Sequence, residues 1–248
     1  MKTQTIVEKR IGIPADYQYR ALRGKNFLKS NWHSNKLQVL KKYMRLSKKH
    51  RALDLGTGSG NFEFEFARKV KEIVGIDYND EAIDFLNGKL KEMKTRNVKL
   101  VLKDIRKLKQ IKNLGKFDIV TAIDVIEHIE TKEAKSLIKS IKPLLKPDGR
   151  VFIITPNYKS FWVVIEYFAD LFSFLPRLLG KQHLAKYYKG NLNRMFNTEG
   201  FANISFHSFN LFSYLFPDKK LSGQLAILET KFPVPVGNLI LGIYKLKN

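Results

Sequence analysis

Ala52-Leu53-Asp54-Leu55-Gly56-Thr57-Gly58-Ser59-Gly60 sets three alternate glycines between a short apolar run and a segment with helical spacing. Residues 51–55 read as a buried strand, and Phe62, Phe66 and Val70 then recur at i, i+4 and i+8, which marks a helix. Glycine at a strand-to-helix turn lets the backbone reverse sharply and lets a ligand approach the main chain, with the N–H groups of the helix start facing it. A glycine-rich turn alone says little, so the weight falls on what surrounds it.

Outward from that turn, strand and helix alternate. Apolar runs at 72–76, 98–102, 117–123 and 151–155 are separated by segments of helical composition. Leu37, Leu40 and Met44 define an amphipathic helix before the first strand, Asn79 or Asp80 can cap the helix after the second, and residues 130–141 supply another after the fourth. Pro147-Asp148-Gly149 reads as a tight turn into the fifth strand. Beyond Asn157 the rhythm breaks in an insertion, and it resumes with strands at 204–209 and 239–244. Such alternation predicts a parallel sheet with right-handed crossovers. The expected organisation is one domain: a helical extension or lid over 1–50, a ligand-binding core over 51–157, a helical insertion over 158–200, and strands completing the sheet over 201–248.

Two acids give the glycine turn its meaning. Asp77 ends the second strand 17 residues after Gly60, where a carboxylate can accept both hydroxyls of a ribose, and Asp104 follows the third strand, where it can accept from an adenine amino group. The dinucleotide pattern would require glycine at position 61, and this chain has Asn61. Asp54, two residues before the first glycine, would repel a pyrophosphate and would meet an ammonium. S-adenosylmethionine has the ammonium and lacks the phosphates.

Composition narrows the chemistry further. Apolar residues make up 44% of the 248 and charged residues 27%, the balance of a folded globular chain. There is no cysteine, which excludes thiol nucleophiles, cysteine-zinc sites and disulfides. The first residues, MKTQTIVEKR, lack the apolar core of a secretory signal, so a cytoplasmic location is expected. Forty-five Lys plus Arg against 23 Asp plus Glu give a net charge of +22, which suits nucleic acid, an anionic membrane surface or simply a solvated lysine-rich exterior.

ALDLGTGSG, IVGIDYN, VLKD, FDIVTAIDVIEHI and LLKPDGRVFIITPN, between Arg51 and Asn157, together resemble the ubiquinone-biosynthesis O-methyltransferase group of class I methyltransferases. The resemblance implies S-adenosylmethionine as cofactor and an α/β, Rossmann-like class I methyltransferase fold with a mostly parallel seven-stranded sheet flanked by helices. It implies that Asp54, Gly56 and Gly58 surround the methionine and ribose, with Asp77 at the ribose and Asp104 with Ile105 at the adenine; Thr57, Gly60 and Tyr78 beside them are expected to bind the cofactor as well. Asp124 then opens the stretch facing the methionine end and the acceptor. The family more often has Glu at position 124, and Gly-Gly where this chain has Asp148-Gly149. After Asn157 the match is in outline only, with Asn197-Thr198-Glu199-Gly200-Phe201 looking like the helix end before the sixth strand.

Methyl transfer asks chiefly for alignment, which can supply roughly 7–11 kcal/mol of barrier reduction. An oxygen acceptor needs a base as well, and His128 stands just past the fourth strand at the acceptor end. Its other reading is a structural histidine at a helix start. Glu127 either orients the imidazole or complements the helix dipole, and His183 is a second candidate arriving from the insertion. The pattern Asp124-x-x-Glu127-His128 also resembles a divalent-metal site of small-RNA 2′-O-methyltransferases and of some ubiquinone-pathway enzymes, with His183 able to complete the set. The expectation adopted is a metal-free base, with metal ligation the alternative. Asn157 is placed for contact with the acceptor, and Tyr17, Tyr19, Trp32 and His33 form an aromatic group for a lid or for helix packing.

The expected acceptor is small or lipid-linked. RNA or ribosome methylation and cofactor binding without turnover are the alternatives; the base-amine signature Asn/Asp-Pro-Pro-aromatic is absent. Residues 161–175 should form a helix, mostly apolar apart from a polar stripe of Glu166, Asp170 and Ser173 and stopped by Pro176. At about 22 Å it falls short of a hydrocarbon layer of roughly 30 Å. It is expected to cover the acceptor pocket, to dip into a membrane interface beside anionic lipid, or to serve as a core or dimer helix. Oligomeric state is not read from the sequence.

Overall fold

The computed structural model describes residues 14–161, 163–164, 167–168 and 183–247. Seven strands form one sheet in the order β3-β2-β1-β4-β5-β7-β6. They are β1 (Arg51–Leu55), β2 (Glu72–Asp77), β3 (Val98–Leu102), β4 (Phe117–Ile123), β5 (Leu145–Pro156), β6 (Phe201–Phe209) and β7 (Leu239–Leu246). β1 pairs in parallel with β2 and β4, β2 with β3, and β4 with β5, while β7 runs antiparallel to both β5 and β6. The chain begins at the centre, winds out to β3, then crosses back to β4. The order therefore reverses between β1 and β4, and a crevice opens beyond the carboxyl ends of those two strands.

The helices follow from capping and periodicity. They are α1 (Tyr17–Arg23), α2 (Phe27–Met44), α3 (Asn61–Phe66), α4 (Asp80–Glu92), α5 (Thr131–Ile141), α6 (Lys189–Thr198) and α7 (Lys219–Glu229). Asn26 caps α2 by accepting from Lys29 N–H at 3.1 Å; Asn79, not Asp80, caps α4 by accepting from Ala82 N–H at 3.2 Å. Glu130 and Glu133 make a reciprocal capping box at α5. One face of the sheet packs Leu137, Ile138, Phe196 and Tyr244 from α5, α6 and β7. The other packs Leu40 and Met44 of α2, Phe62 and Phe66 of α3, and Ala226 of α7.

Two expectations need correction here, and a third lies largely outside the described residues. Pro147-Asp148-Gly149 does not end in a turn: β5 starts at Leu145, and its register against β4 slips from Phe117↔Leu145 to Ile119↔Arg150, so these residues bulge within a continuous strand. α7 lies where only strands were expected, because its apolar residues cover a wide arc broken by Ser222 and Gly223. The polar stripe of the 161–175 helix, Glu166, Asp170 and Ser173, falls outside the described residues, as do Trp162 and Pro176; Val163, Val164, Tyr167 and Phe168 are helical and exposed.

Buried Glu229 fastens α7 to the loop after β6. Its carboxylate accepts from the backbone N–H groups of Leu211, Phe212 and Ser213 and from Ser213 Oγ, all within 2.8–3.1 Å. Glu229→Ala strands those donors, and we expect a loss of about 2 kcal/mol, lowering Tm by roughly 4–8 °C. A melt within a degree of wild type would show that water replaces the carboxylate freely.

Candidate cofactor and acceptor site

The glycine turn leaves β1 with Gly56, Gly58 and Gly60 all at positive φ. A Cβ on Gly56 would lie 2.4 Å from Val125 Cγ2, so no other residue fits that crossing of the β1 and β4 ends. Gly56 and Thr57 donate N–H bonds to Ile76 O at 2.8 and 3.1 Å, which locks the turn to β2. Asp77, at the end of β2 and 7% exposed, accepts from Gly58 N–H at 2.8 Å through one oxygen and from Asn79 N–H at 2.9 Å through the other. Each oxygen keeps a further lone pair. Tyr78 follows it, with its hydroxyl buried and without a hydrogen-bond partner.

Beneath the turn lies a pair of buried acids, of which only Asp54 was read from the sequence. Asp54 Oδ1 accepts from Thr121 Oγ1 at 2.5 Å, and Glu63 Oε1 accepts from Thr57 Oγ1 at 2.5 Å, while Glu63 Oε2 has no partner. Burial pushes the Asp54 carboxyl up to about 7, and burial together with the Asp54 charge holds Glu63 well above the carboxylate range. The signal for Glu63 is its place beside Phe62 and one turn from Phe66, on the apolar face of α3.

A cavity of about 30 Å³ lies against Asp54, Gly56 and Thr57 and is walled by His33 and Lys36 of α2 and by Asp124. Asp124, left-handed at φ 54°, is half-buried and paired with Lys36, which is itself buried. Burial raises its carboxyl, but Lys36 and then His33 and His128 overcome that and hold it below the usual range. Burial and Lys36 press His33 down to about 3, so its ring is neutral. Above the cavity α1 is tied to the glycine turn: Ser59 Oγ donates to Ala15 O at 2.9 Å, Asn61 Nδ2 to Gln18 O at 2.9 Å, and Arg23 Nη1 to Asn61 Oδ1 at 3.1 Å. The expected aromatic group divides. Tyr17 meets His33 at 6.3 Å, Tyr19 packs on Phe64 and Phe85, and Trp32 turns away to Tyr214.

At the adenine side the arrangement is less open. Asp104 caps the turn over Ile105–Gln110 and is forked by Arg106 through Nε and Nη2 at 2.5–3.0 Å, so an adenine amino group would compete with that guanidinium. Ile105 is buried in the core.

The acceptor end gathers what the insertion had separated. Ile126–His128 is a single helical turn after β4, and Ala185 N–H donates to Glu127 O at 3.1 Å while Tyr158 N–H donates to Tyr187 O at 2.8 Å, which straps residues 183–187 over it. His183 thereby lies 5.0 Å from His128, ring centre to ring centre, and its Nδ1 is hydrogen-bonded to Tyr158 Oη at 2.5 Å. One ligand-type atom from each of Glu127, His128 and His183 lies within 4.8 Å of the others. Glu127 does not face solvent to serve a helix dipole, as one reading had it. It is fully buried, accepts from Thr155 Oγ1 at 3.0 Å, keeps Oε1 without a partner, and is pushed up to about 7 by burial and the Asp124 charge. Asn157 is corrected too: its amide donates to Pro235 O and Gly237 O at 2.8 and 2.9 Å, so it pins the loop before β7 rather than facing an acceptor. Tyr158, Tyr187, Lys36 and Glu63 were not expected in the site.

Comparison with known proteins gives the following likenesses. Residues 46–200 match the family model described as a methyltransferase domain. Over 144 residues the chain is 28% identical to a ubiquinone biosynthesis O-methyltransferase of Coxiella burnetii, an alignment covering 57% of this chain and 59% of that one. The chain thus spans somewhat over half the length of that curated relative. It is 36% identical over 103 residues to (S)-coclaurine N-methyltransferase of Papaver somniferum, covering 41% of this chain and 28% of the relative. Among solved structures, magnesium protoporphyrin IX methyltransferase from Synechocystis, holding bound SAH, shares the fold with a TM-score of 0.61 at 15% identity, covering 93% of each chain. The PH0226 protein of Pyrococcus horikoshii does so with 0.56 at 22% identity, covering 86% of this chain and 90% of that one.

Proposed function

This chain belongs to the methyltransferase-domain family, and from that membership we propose that it moves the methyl group of S-adenosylmethionine to an oxygen of a small or lipid-linked acceptor. The observation that carries the oxygen reading is the convergence of Glu127, His128 and His183 at the carboxyl end of β4, next to the Asp124 wall of the cavity. A neutral amine can attack the methyl group through its lone pair and lose its proton afterwards, whereas a hydroxyl attacks well only as a base takes its proton.

The residues fit the cofactor by their chemistry. Asp77, with a lone pair to spare on each oxygen, takes the ribose hydroxyls; Gly56, Gly58 and Gly60 admit the chain of the cofactor against the backbone, with Thr57 held below them; Tyr78, Asp104 and Ile105 border the adenine. Asp54 faces the ammonium, and Lys36 and Asp124 wall the methionine end. When bound, the sulfonium supplies an already activated methyl group. What remains for the protein is to hold the acceptor in line and to take its proton, a task assigned to His128 with His183, itself oriented by Tyr158, beside it. α1, bridged to the glycine turn, is the lid that lifts for entry.

Binding should carry a pH signature. The Asp54 carboxyl, raised to about 7 in the free protein, must ionise to meet the cofactor's ammonium. Affinity therefore falls as pH drops below 7 and levels off above it, by roughly tenfold between about pH 5.5 and 7. Calorimetric titrations giving one flat affinity across that range would remove Asp54 from the ammonium site.

A second reading has an observation of its own. Glu127 Oε1, buried and without a hydrogen-bond partner beside two imidazoles, fits a divalent ion, and two nitrogens favour a softer transition metal over magnesium. Glu127, His128 and His183 would hold it; Asp124, already paired with Lys36, would not. Such an ion would polarise the acceptor hydroxyl.

The acceptor class is tested by incubating the protein with methyl-labelled S-adenosylmethionine and total cell extract, then fractionating. Label in lipid or in small soluble molecules supports the proposal; label in RNA or protein contradicts it, and no label points to binding without turnover. The lipid-linked version draws support from exposed Val163, Val164, Tyr167 and Phe168 at the start of the insertion. Among the described residues no helix is long and apolar enough to cross a membrane, so contact with an anionic membrane would be peripheral.

A further inference from the structure

Between Tyr17 and His50 the chain carries ten lysines and arginines and not one aspartate or glutamate. α2 from this stretch packs against α7 and the turn Ser213–Leu215 on one side of the sheet. Where the three meet, large apolar side chains stand outward: Phe212 is 58% exposed, Leu215 46% and Phe216 41%. Leu221 and Leu228, two turns apart on one stripe of α7, are exposed as well, and so are Phe27 and Leu28 at the start of α2. The elements are fixed to one another. Asn31 Nδ2 donates to Phe216 O at 2.6 Å, and Lys219 Nζ donates to Leu22 O at 3.0 Å. Exposed Lys25, Lys220 and Lys231 flank the apolar residues in the chain, and exposed Asp218, which caps α7, is the one acid among residues 211–228.

From this surface we infer that the α2–α7 face docks on an anionic lipid bilayer, its phenylalanines and leucines entering the interface while the surrounding lysines meet the headgroup phosphates. A contiguous apolar patch ringed by cations is what such an interface requires. Charge separates this occupant from a second copy of the chain, because a two-fold pairing would press each lysine rim against its own image. Side-chain type favours lipid over nucleic acid: Leu28, Leu215, Leu221 and Leu228, which offer bases no ring to stack on, outnumber Phe27, Phe212 and Phe216 on this face.

The inference deepens the lipid-linked acceptor reading and rests on it for the purpose of docking. His33 and Lys36, which line the cavity, lie on α2 five and eight residues beyond Leu28, the latter about 12 Å along the helix axis. Docking through this face holds the cavity close to the bilayer, within reach of an acceptor whose tail stays in the lipid.

Vesicle binding needs no turnover, so it stands or falls apart from the reaction. We expect the full chain to co-sediment with vesicles of equimolar phosphatidylcholine and phosphatidylglycerol, weakly or not at all with phosphatidylcholine alone, and less as salt rises. Phe212→Ser combined with Phe216→Ser should lower partitioning about tenfold or more, and Lys220→Glu with Lys231→Glu should do the same at low salt, with the thermal melt and cofactor affinity unchanged in both. The inference is overturned by absence of binding to the mixed vesicles at low salt, or by binding that both pairs leave intact and Val164→Ser with Tyr167→Ser abolishes. It is equally overturned if the Phe212/Phe216 pair disperses a dimer in sedimentation, or abolishes retention of an RNA probe, while vesicle binding persists.

Discussion

Asp77→Ala is expected to weaken S-adenosylmethionine binding by about a hundredfold, with a parallel loss for the demethylated product. Two hydrogen bonds from ribose hydroxyls to a charged acceptor are worth on the order of 3 kcal/mol together. The geometry adds a reason for the loss to be no smaller. The same carboxylate braces the glycine turn through Gly58 N–H and the start of α4 through Asn79 N–H, so its removal also loosens the surface against which the cofactor lies. Asp77→Asn separates the two effects: it keeps one acceptor oxygen and should recover part of the affinity. Calorimetry that finds Asp77→Ala unchanged would take the ribose away from β2.

The larger effect is expected at the acceptor. His128→Ala should slow turnover by roughly 10²–10⁴-fold while cofactor affinity stays at the wild-type value, because the proposed base is this imidazole and it does not line the cofactor cavity. Tyr158→Phe should cost far less, since it removes only the hydrogen bond that orients His183. In the metal-free form activity survives a chelator. Abolition by chelator, with recovery on adding manganese or zinc, would convert Glu127, His128 and His183 from proton carriers to ligands. Equal turnover by wild type and His128→Ala would contradict both.

Parts of this fold were legible because local rules and tertiary outcome agree. Phe62, Phe66 and Val70 were spaced for burial and are buried, and the strand ends at Asp77 and Ile123 coincide with the ends of their apolar runs. Pro147-Asp148-Gly149 misled because turn residues serve a bulge equally well when a neighbouring strand holds both flanks. Asn157 and Glu127 were read by position along a strand end, but which way a side chain turns there depends on distant partners, the 235–237 loop for one and Thr155 for the other. Lys36 sits among polar neighbours that look solvent-facing in one dimension, and Glu63, although on the apolar face of α3, carries a charge that by type belongs outside. They become site residues only when α2 closes on β4 and when Thr57 folds over α3. His183 was named without a path; the strap over residues 183–187, held by Ala185 and Tyr187, supplies it.

Methyl-labelled S-adenosylmethionine, the purified protein and a total lipid extract, followed for both label and S-adenosylhomocysteine, test the proposed reaction most directly. We expect one S-adenosylhomocysteine for each label transferred into the lipid or small-molecule fraction, with transfer suppressed in His128→Ala and cofactor binding retained there. Tight cofactor binding by wild type with no S-adenosylhomocysteine formed against lipid, RNA or whole extract would contradict it, and would leave the chain a binder of the cofactor rather than an enzyme.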